Sequence, residues 1–244
     1  MLITSRDNSR IKHLRKLLDK KTSLNEGLFV IEGENLISEA IKSNLLTELY
    51  VLDGENFEYD FEYDNVTLDV MKSISSLSST PRLIGISKFI NKNKLGNRIV
   101  LLDGVQDPGN VGTIIRSSKA FGIDTLVLGN GCCDLYNEKV IRSTQGNGFH
   151  MNIISGDLIE IIKELKNKEV PILGTRVEYG EDIRNLTSRD KECFCLVMGN
   201  EGRGVSKEVF ELCDKFIYIE MDNQVESLNV GVATSILLYE LNRK

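Results

Sequence analysis

The sequence predicts an α/β protein of two domains, the second of which contains a parallel sheet. From residue 99 onward, apolar runs of strand length alternate with segments of helical periodicity, as βαβ units require. A shorter α/β unit precedes them, and the polar, basic stretch INKNKLGNR (90–98), with a single Gly, separates the two. The expected domains are therefore residues 1–90 and 99–244.

The first domain opens with the segment NSRIKHLRKLLDKK. Its apolar residues Ile11, Leu14, Leu17 and Leu18 recur at helical spacing with basic residues between them, which predicts an amphipathic helix. The remaining predicted elements of this domain are strands at 28–33, 46–53 and 82–89 and helices at 34–43 and 70–79.

The second domain begins with the unbroken apolar run IVLLDGV (99–105), which predicts a strand buried on both faces. Strands are expected at 99–105, 125–130, 149–154, 171–177, 194–200 and 216–221, and helices at 111–122, 137–145, 157–167, 206–213 and 227–243. Parallel strands with crossover helices satisfy this order. Periodicity alone predicts an ordinary doubly wound sheet.

The composition sets limits on function. No segment approaches the roughly 20 apolar residues that span a bilayer, and MLITSRDNSR lacks the apolar stretch of a secretion signal, so a cytoplasmic protein without a membrane partner is expected. The five cysteines, an odd number, favour free thiols. Cys193 and Cys195 form a CxC pair, but with two histidines in the chain buried thiols are favoured over a metal site.

The net charge of −6 hides a basic N-terminus, because residues 1–21 carry seven Lys or Arg against two Asp, a local charge of +5. A solvated helix face explains this charge. An anchor for RNA phosphates explains it equally well. The candidate RNA-binding residues are Arg6, Arg10, Lys12, Arg15 and Lys16.

Three predicted strands end in loops of unusual composition: QDPGNVGTIIR (106–116), GNEGRG (199–204) and MDNQVESLN (221–229). In open α/β sheets, ligands bind beyond the carboxyl ends of strands, so these loops are expected to share one cavity. The glycine-rich loop lacks the GK[ST] of a phosphate-binding Walker loop. Ser227 is the expected N-cap of the last helix, whose free N–H groups suit an anion.

Together these blocks resemble the signature of the SpoU, or TrmH-like, RNA ribose 2′-O-methyltransferases. The matching segments are NVGTIIR (110–116), LVMGNEGRGVS (196–206) and ESLNVGVA (226–233), and RSTQGNGF (142–149) resembles an intermediate block of the family. SRDNSRIKHLRKL and GLFVIEGENLISEAI resemble the ribosomal-protein-like substrate-binding domain that precedes many members. The resemblance therefore covers nearly the whole chain.

The resemblance implies an α/β trefoil knot in the C-terminal domain, a homodimer through that domain, and S-adenosylmethionine as methyl donor. It implies 2′-O-methylation of RNA, with ribosomal RNA favoured over tRNA. The implied catalytic residues are Asn110, Arg116, Glu201, Ser227 and Asn229. The implied cofactor-binding residues are Gly199, Asn200, Gly202, Ile219, Met221 and Leu228, with backbone groups of Gly199, Ile219 and Leu228 around the adenosine.

Arg116 shares a predicted helix face with Thr113, Ser117 and Ala120, opposite the two isoleucines that precede it. The family assigns this arginine a central catalytic role, often as general base. Because arginine stays protonated in proteins, a grip on the phosphate beside the target ribose is the easier role to defend. The alternative is that Arg116 forms a surface ion pair and Asn110 merely caps a helix.

Two departures from the family pattern lie near the expected cofactor site. Glu220 stands where proline is usual, and Asn223 where glycine is usual. Glu220 is expected to add a carboxylate near the donor. These departures leave open an RNA-binding protein without catalysis, beside a tRNA-directed methyltransferase and a nucleotide-dependent enzyme on an unknotted sheet.

Overall fold

The structure is a computed structural model that describes residues 1–90, 94–177, 179–222 and 224–243 of the chain. The chain divides into two compact units, Met1–Ile90 and Asn91–Lys244. Residues 91–93 of the expected linker lie outside the described residues. Of the helices in the described ranges, none has the length and hydropathy needed to cross a membrane.

The N-terminal unit is a mixed five-stranded sheet with strand order β1-β4-β3-β5-β2 and four helices in the described residues. Its elements are β1 (Leu2–Ile3), α1 (Ser9–Leu17), α2 (Lys20–Glu26), β2 (Leu28–Glu32), α3 (Glu34–Lys42), β3 (Leu46–Leu52), β4 (Asp64–Val66), α4 (Leu68–Ile74) and β5 (Leu83–Lys88). β4 pairs in parallel with β1 and β3, whereas β5 runs antiparallel to β3 and β2.

The first predicted helix is confirmed but is shorter than the sequence suggests. Three of its four leucines and isoleucines are buried, but Leu18 is the C-cap and is 46% exposed, so its place on the apolar face is corrected. Helix α2 was not predicted, because its polar sequence shows no apolar periodicity. Asp19 caps it at the N-terminus and Gly27, at φ +65°, ends it.

The helix predicted over 70–79 is also corrected, since α4 starts earlier and ends at Ile74. The serines that follow bind a strand residue instead. Ser75 Oγ and the Ser76 backbone N–H donate to the Glu32 carboxylate at 2.6 and 2.9 Å. Serine commonly competes with helical hydrogen bonding in this way.

The C-terminal unit is a parallel seven-stranded sheet with strand order β10-β12-β9-β11-β6-β7-β8. Its elements are β6 (Arg98–Asp103), α5 (Pro108–Ala120), β7 (Thr125–Leu128), α6 (Glu138–Ser143), β8 (Asn152–Ser155), α7 (Leu158–Asn167), β9 (Ile172–Thr175), β10 (Glu181–Asp182), α8 (Ser188–Glu192), β11 (Phe194–Gly199), α9 (Lys207–Phe210), β12 (Lys215–Tyr218) and α10 (Val230–Asn242). The parallel sheet confirms the predicted fold class.

Strand β6 lies at the centre of this unit and is buried on both faces, as its unbroken apolar run predicts. Val100 and Leu102 pack into one hydrophobic cluster with α5 and α10. Ile99 and Leu101 pack into a second cluster with α7 on the other face. Helices on both faces of a parallel sheet give this two-sided burial.

Several boundaries in this unit differ from the prediction. The strand expected at 149–154 begins only at Asn152, because residues 147–150 form a 3₁₀ turn after Gly146, at φ +83°. Helix α9 covers 207–210 rather than 206–213. Strand β12 ends at Tyr218, so Ile219 and Met221 lie in a loop and not in the strand predicted for 216–221.

Candidate active site

Three loops of the C-terminal unit meet at one carboxylate. The Glu201 carboxylate, after β11, accepts hydrogen bonds from the Asn110 side-chain amide at 3.0 Å and from the backbone N–H groups of Asp107 and Gln106 at 3.3 and 3.5 Å, after β6. β6 and β11 are adjacent parallel strands, so their carboxyl ends open at the same edge of the sheet. This contact joins the first two loops.

Asn110 joins the third loop as well. Its Oδ1 atom accepts a hydrogen bond from Asn229 Nδ2 at 2.8 Å. The cap of α5 is Asp107, whose carboxylate accepts a hydrogen bond from the Asn110 backbone N–H at 2.8 Å. The alternative that Asn110 merely caps the helix is therefore wrong, because its side chain links Glu201 to Asn229.

The glycine-rich loop folds back on itself. Asn200 and Gly204 exchange two backbone hydrogen bonds of 2.9 Å, and Gly204 takes φ +70°. A Cβ atom at Gly199 would lie 2.2 Å from the Gly204 carbonyl carbon, so only glycine fits there. A Cβ atom at Gly202 would meet nothing closer than 3.7 Å.

Asn200 holds this loop in place from within. Its Oδ1 atom accepts hydrogen bonds from the backbone N–H groups of Gly202 and Arg203 at 2.9 and 3.1 Å. Its Nδ2 atom donates to the Gly104 carbonyl at 2.7 Å, in the loop after β6. One side chain therefore fixes the turn and ties it to the neighbouring strand end.

The third loop leads into α10, and its cap differs from the prediction. Asn229 is the N-cap, with its Oδ1 atom accepting hydrogen bonds from the backbone N–H groups of Gly231 and Val232 at 2.9 and 3.3 Å. The expectation that Ser227 caps this helix is wrong, because the helix starts at Val230. Ser227 is instead an exposed residue of the loop.

A cavity of about 530 Å³ lies between the second and third loops and the carboxyl end of β9. Its volume is within the range of small-molecule sites. Nine of the eleven residues expected to be catalytic or cofactor-binding line it: Gly199, Asn200, Glu201, Gly202, Ile219, Met221, Ser227, Leu228 and Asn229. Asn110 and Arg116 do not.

The loop positions Ile219, Met221 and Leu228 present main-chain groups at this cavity. They lie between the end of β12 and the start of α10, so no regular element uses their backbone. Among the described residues, their backbone N–H groups have no hydrogen-bond partner. Such groups are strong donors and are available to a ligand.

Arg116 is exposed on the face of α5 that also carries Thr113 and Ala120, whereas Ile114 and Ile115 are fully buried. This confirms the predicted helix face. Within the ranges that the structure describes, its guanidinium makes no hydrogen bond and no ion pair, so the surface ion pair offered as an alternative is wrong there.

Two opposing influences act on Glu201. Burial alone would raise the pKa of this carboxyl, but the hydrogen bonds from Asn110 and from the backbone of Asp107 and Gln106 outweigh it and lower the pKa. Glu201 is therefore a stable carboxylate that accepts hydrogen bonds at neutral pH. Its lowered pKa makes it a weak base.

The sequence prediction missed the carboxyl end of β9. Thr175, Arg176 and Val177 line the cavity, and β9 lies between β11 and β12 in the sheet. The predicted strand PILGTRV ran through these residues to 177. Its polar end, at the same edge as the glycine-rich loop, was the signal that could have found them.

The departures at 220 and 223 have different outcomes. The Glu220 carboxylate pairs with Arg184 and does not line the cavity, so the expectation that it adds a carboxylate near the donor is wrong. Arg184 also binds Asp182. Asn223 lies outside the described residues.

The basic residues at the N-terminus are largely paired within their own unit. Arg6 forms a bidentate pair with Asp69, Arg10 pairs with Glu48 and Asp64, and Lys12 pairs with Asp7 at 2.9 Å. Most of these carboxylates lie outside the first 21 residues, so the charge count of that segment overstates its local positive charge.

Arg15 and Lys16 remain without a carboxylate. Arg15 donates to the Arg6 carbonyl at 3.2 Å, and Lys16 has no partner among the described residues. In those same ranges, no cluster of His, Cys, Asp and Glu could hold a metal ion. The five cysteines are free, and Cys195 is fully buried.

Two family models match the chain. Residues 97–239 match the SpoU rRNA Methylase family, and residues 8–85 match an MRM3-like substrate binding domain. The chain is 36% identical over 246 residues to the 23S rRNA (guanosine(2553)-2′-O)-methyltransferase RlmP of Bacillus subtilis, covering 98% of each chain.

Solved structures agree with this assignment. An rRNA methyltransferase from Sinorhizobium meliloti with bound AdoMet superposes with a TM-score of 0.85 at 25% identity, covering 99% of this chain and 97% of that one. An RNA 2′-O ribose methyltransferase superposes with a TM-score of 0.82 at 27% identity, covering 99% and 98%. The chain therefore belongs to the SpoU rRNA methylase family, an α/β-knot family of S-adenosylmethionine-dependent methyltransferases.

Proposed function

We propose that this chain transfers the methyl group of S-adenosylmethionine to a ribose 2′-hydroxyl in ribosomal RNA. The observation that carries the proposal is the hydrogen-bonded chain Glu201–Asn110–Asn229, which ties three loops together beside the cavity. The relative in Bacillus subtilis, which acts on 23S rRNA, supports ribosomal RNA as the substrate class.

The cavity has the chemistry that this cofactor needs. Ala233 and Leu237 give it an apolar wall for an adenine ring, and the unpartnered backbone N–H groups of Ile219 and Leu228 can bind the ring's polar edge. Glu226 also lines it and adds negative charge, which suits a sulfonium cation. The proposed cofactor-binding residues are Gly199, Asn200, Gly202, Ile219, Met221 and Leu228.

When bound, the cofactor supplies an electrophilic methyl group, and the protein must orient the attacking hydroxyl. Asn110 and Asn229 are held rigidly enough to do so, because each is fixed by at least two hydrogen bonds. Ser227 lines the cavity with a free hydroxyl that can bind the same ribose. Glu201 fixes Asn110 and, with its lowered pKa, acts as an acceptor that orients rather than as the base.

Arg116 is proposed as the phosphate clamp of the reaction. A protonated guanidinium without a protein partner is suited to grip the phosphate beside the target ribose. Because Arg116 does not line the cavity of its own chain, we propose that it serves the cavity of a second copy. Val232 and Tyr239 of α10 are 47% and 54% exposed and provide apolar surface for a homodimer through the C-terminal unit.

The N-terminal unit is proposed to select the RNA, since it matches a substrate-binding domain model. Arg15 and Lys16 are the best candidates for phosphate contacts, because carboxylates already hold Arg6, Arg10 and Lys12. An enzyme of ribosomal RNA acts in the cytoplasm, which is the proposed location.

The test uses the purified chain, labelled S-adenosylmethionine and ribosomal RNA transcripts. We expect label in a ribose 2′-O-methyl group at one position, mapped by resistance to alkaline cleavage. Arg116→Ala is expected to lose at least a hundredfold in methylation while calorimetry shows unchanged cofactor affinity. Lys119→Ala, one turn further along the same helix, is the matched control. Full activity of Arg116→Ala would remove Arg116 from the mechanism.

A further inference from the structure

We propose that Tyr179 and Arg176 form a stacking platform for an unpaired nucleotide of the RNA, at the rim of the cavity. The proposal rests on the proposed function, since it concerns how that RNA substrate is held. It assigns an RNA contact to the C-terminal unit that is separate from the basic N-terminus and from Arg116.

The platform sits on a fixed part of the backbone. The Arg176 backbone N–H donates to the Ile217 carbonyl at 3.2 Å. A Cβ atom at Gly180 would lie 2.8 Å from the Phe216 carbonyl oxygen, so the chain passes close against β12 there and requires glycine. Both residues that flank the tip of this turn are therefore held against the same strand.

Three aromatic rings surround the Arg176 guanidinium. Its central carbon lies 5.5 Å from the centroid of Phe216, 5.7 Å from that of Phe210 and 5.8 Å from that of Tyr179. Phe210 and Phe216 are themselves stacked, with centroids 4.0 Å apart. Cation–π contacts of this kind fix the position of the guanidinium.

The polar edge of the same guanidinium has no partner. Among the described residues Arg176 makes no hydrogen bond and no ion pair through its side chain. It also lines the cavity. Five N–H donors held in place by rings, and bound to no carboxylate, are suited to a phosphate.

The ring of Tyr179 extends the cluster outward. It is 84% exposed, the highest value among the large apolar side chains that the structure describes. Its backbone is left-handed, at φ +58°, which is unfavourable for an aromatic residue. Tyr179 does not line the cavity, so a cofactor bound inside would leave this ring uncovered.

An unpaired nucleotide matches both halves of the cluster. Its base can stack on the open face of Tyr179, and its phosphate can bind the Arg176 edge. Base-paired RNA cannot use the platform, because its bases are already stacked. We therefore expect the platform to hold a nucleotide near the target ribose in a single-stranded conformation.

Tyr179→Trp gives a direct probe, because the chain contains no tryptophan. The substitution keeps a stacking ring and creates a single fluorophore. Single-stranded ribosomal RNA transcript should quench its fluorescence, and perfectly paired RNA of equal length should not. No change with a transcript that the wild-type protein binds would overturn the proposal. This readout does not need methyl transfer, so it remains informative if the proposed function fails.

Kinetics provide the second test. Tyr179→Leu, which keeps bulk but removes the aromatic face, should raise the KM for RNA between about 5-fold and 100-fold. Tyr179→Phe should stay within about twofold of wild type. Cofactor affinity, measured by calorimetry, should not change in either variant. Equal KM values for the Leu and Phe variants, or a weaker cofactor affinity in the Leu variant, would overturn the platform.

Discussion

Removing the Asn110 side chain tests whether one amide holds the three loops together. Asn110→Ala deletes the 3.0 Å bond to Glu201 and the 2.8 Å bond from Asn229. A bond to a charged group contributes about 1.5–3 kcal/mol, and a neutral one about 0.5–1.5 kcal/mol. Because Glu201 is exposed, we expect a loss of about 1.5 kcal/mol, or about 3–6 °C in Tm.

The loss should depend on pH. Burial raises the pKa of Glu201, and the Asn110 bond is the strongest influence that lowers it. A lowered carboxyl pKa stabilises the fold above the pKa of the unfolded chain, and this contribution disappears as pH falls through the folded value. The difference between wild type and variant should therefore be largest near neutral pH and shrink below the ordinary carboxyl range.

A double-mutant cycle isolates the contact. Asn110→Ala, Glu201→Ala and the double variant are unfolded with urea at neutral pH, and we expect a coupling energy of about 1 kcal/mol. The remaining bonds to Glu201 are 3.3–3.5 Å long and should add little. Asn147→Ala, whose amide bonds locally to the Thr144 carbonyl, should be additive with Glu201→Ala. Additivity of Asn110→Ala and Glu201→Ala within about 0.3 kcal/mol would refute this reasoning.

Three further changes have expected outcomes. Gly199→Ala places a Cβ atom 2.2 Å from backbone, so it should cost about 1–3 kcal/mol and abolish cofactor binding in calorimetry, whereas Gly202→Ala should do neither. Asn229→Ala removes the cap of α10 and should lower the free energy of unfolding by about 1 kcal/mol, and unchanged stability would contradict its capping role. Joint substitution of Arg15 and Lys16 by Ala should weaken RNA binding and reduce its salt slope by about 1.5, and an unaltered slope would exclude them as phosphate contacts.

Local pattern was sufficient for the larger elements. The unbroken apolar run of β6 predicted a strand buried on both faces, and the small polar face around Arg116 was visible in the spacing of α5. Elements that depend on distant partners were missed. Strand β4 has three residues and is held between β1 and β3, and α2 is defined by its caps rather than by apolar periodicity.

The candidate site shows the same division. The sequence by itself determined which loops matter, because Gly, Asn and Glu cluster at the ends of three predicted strands and match a family signature. It could not show that Glu201 binds Asn110, since the two lie 91 residues apart. It could not show that Arg6 is paired with Asp69, across 63 residues, or that Arg116 stands outside its own cavity.

Sequence alone therefore determined the fold class, the family and the chemistry of the loops, because periodicity and short motifs are local properties of the chain. The tertiary structure decided the strand order, the partners of each charged side chain and the cluster of rings around Arg176. Those features depend on side chains that folding brings together from distant segments, and no local pattern records such a distance.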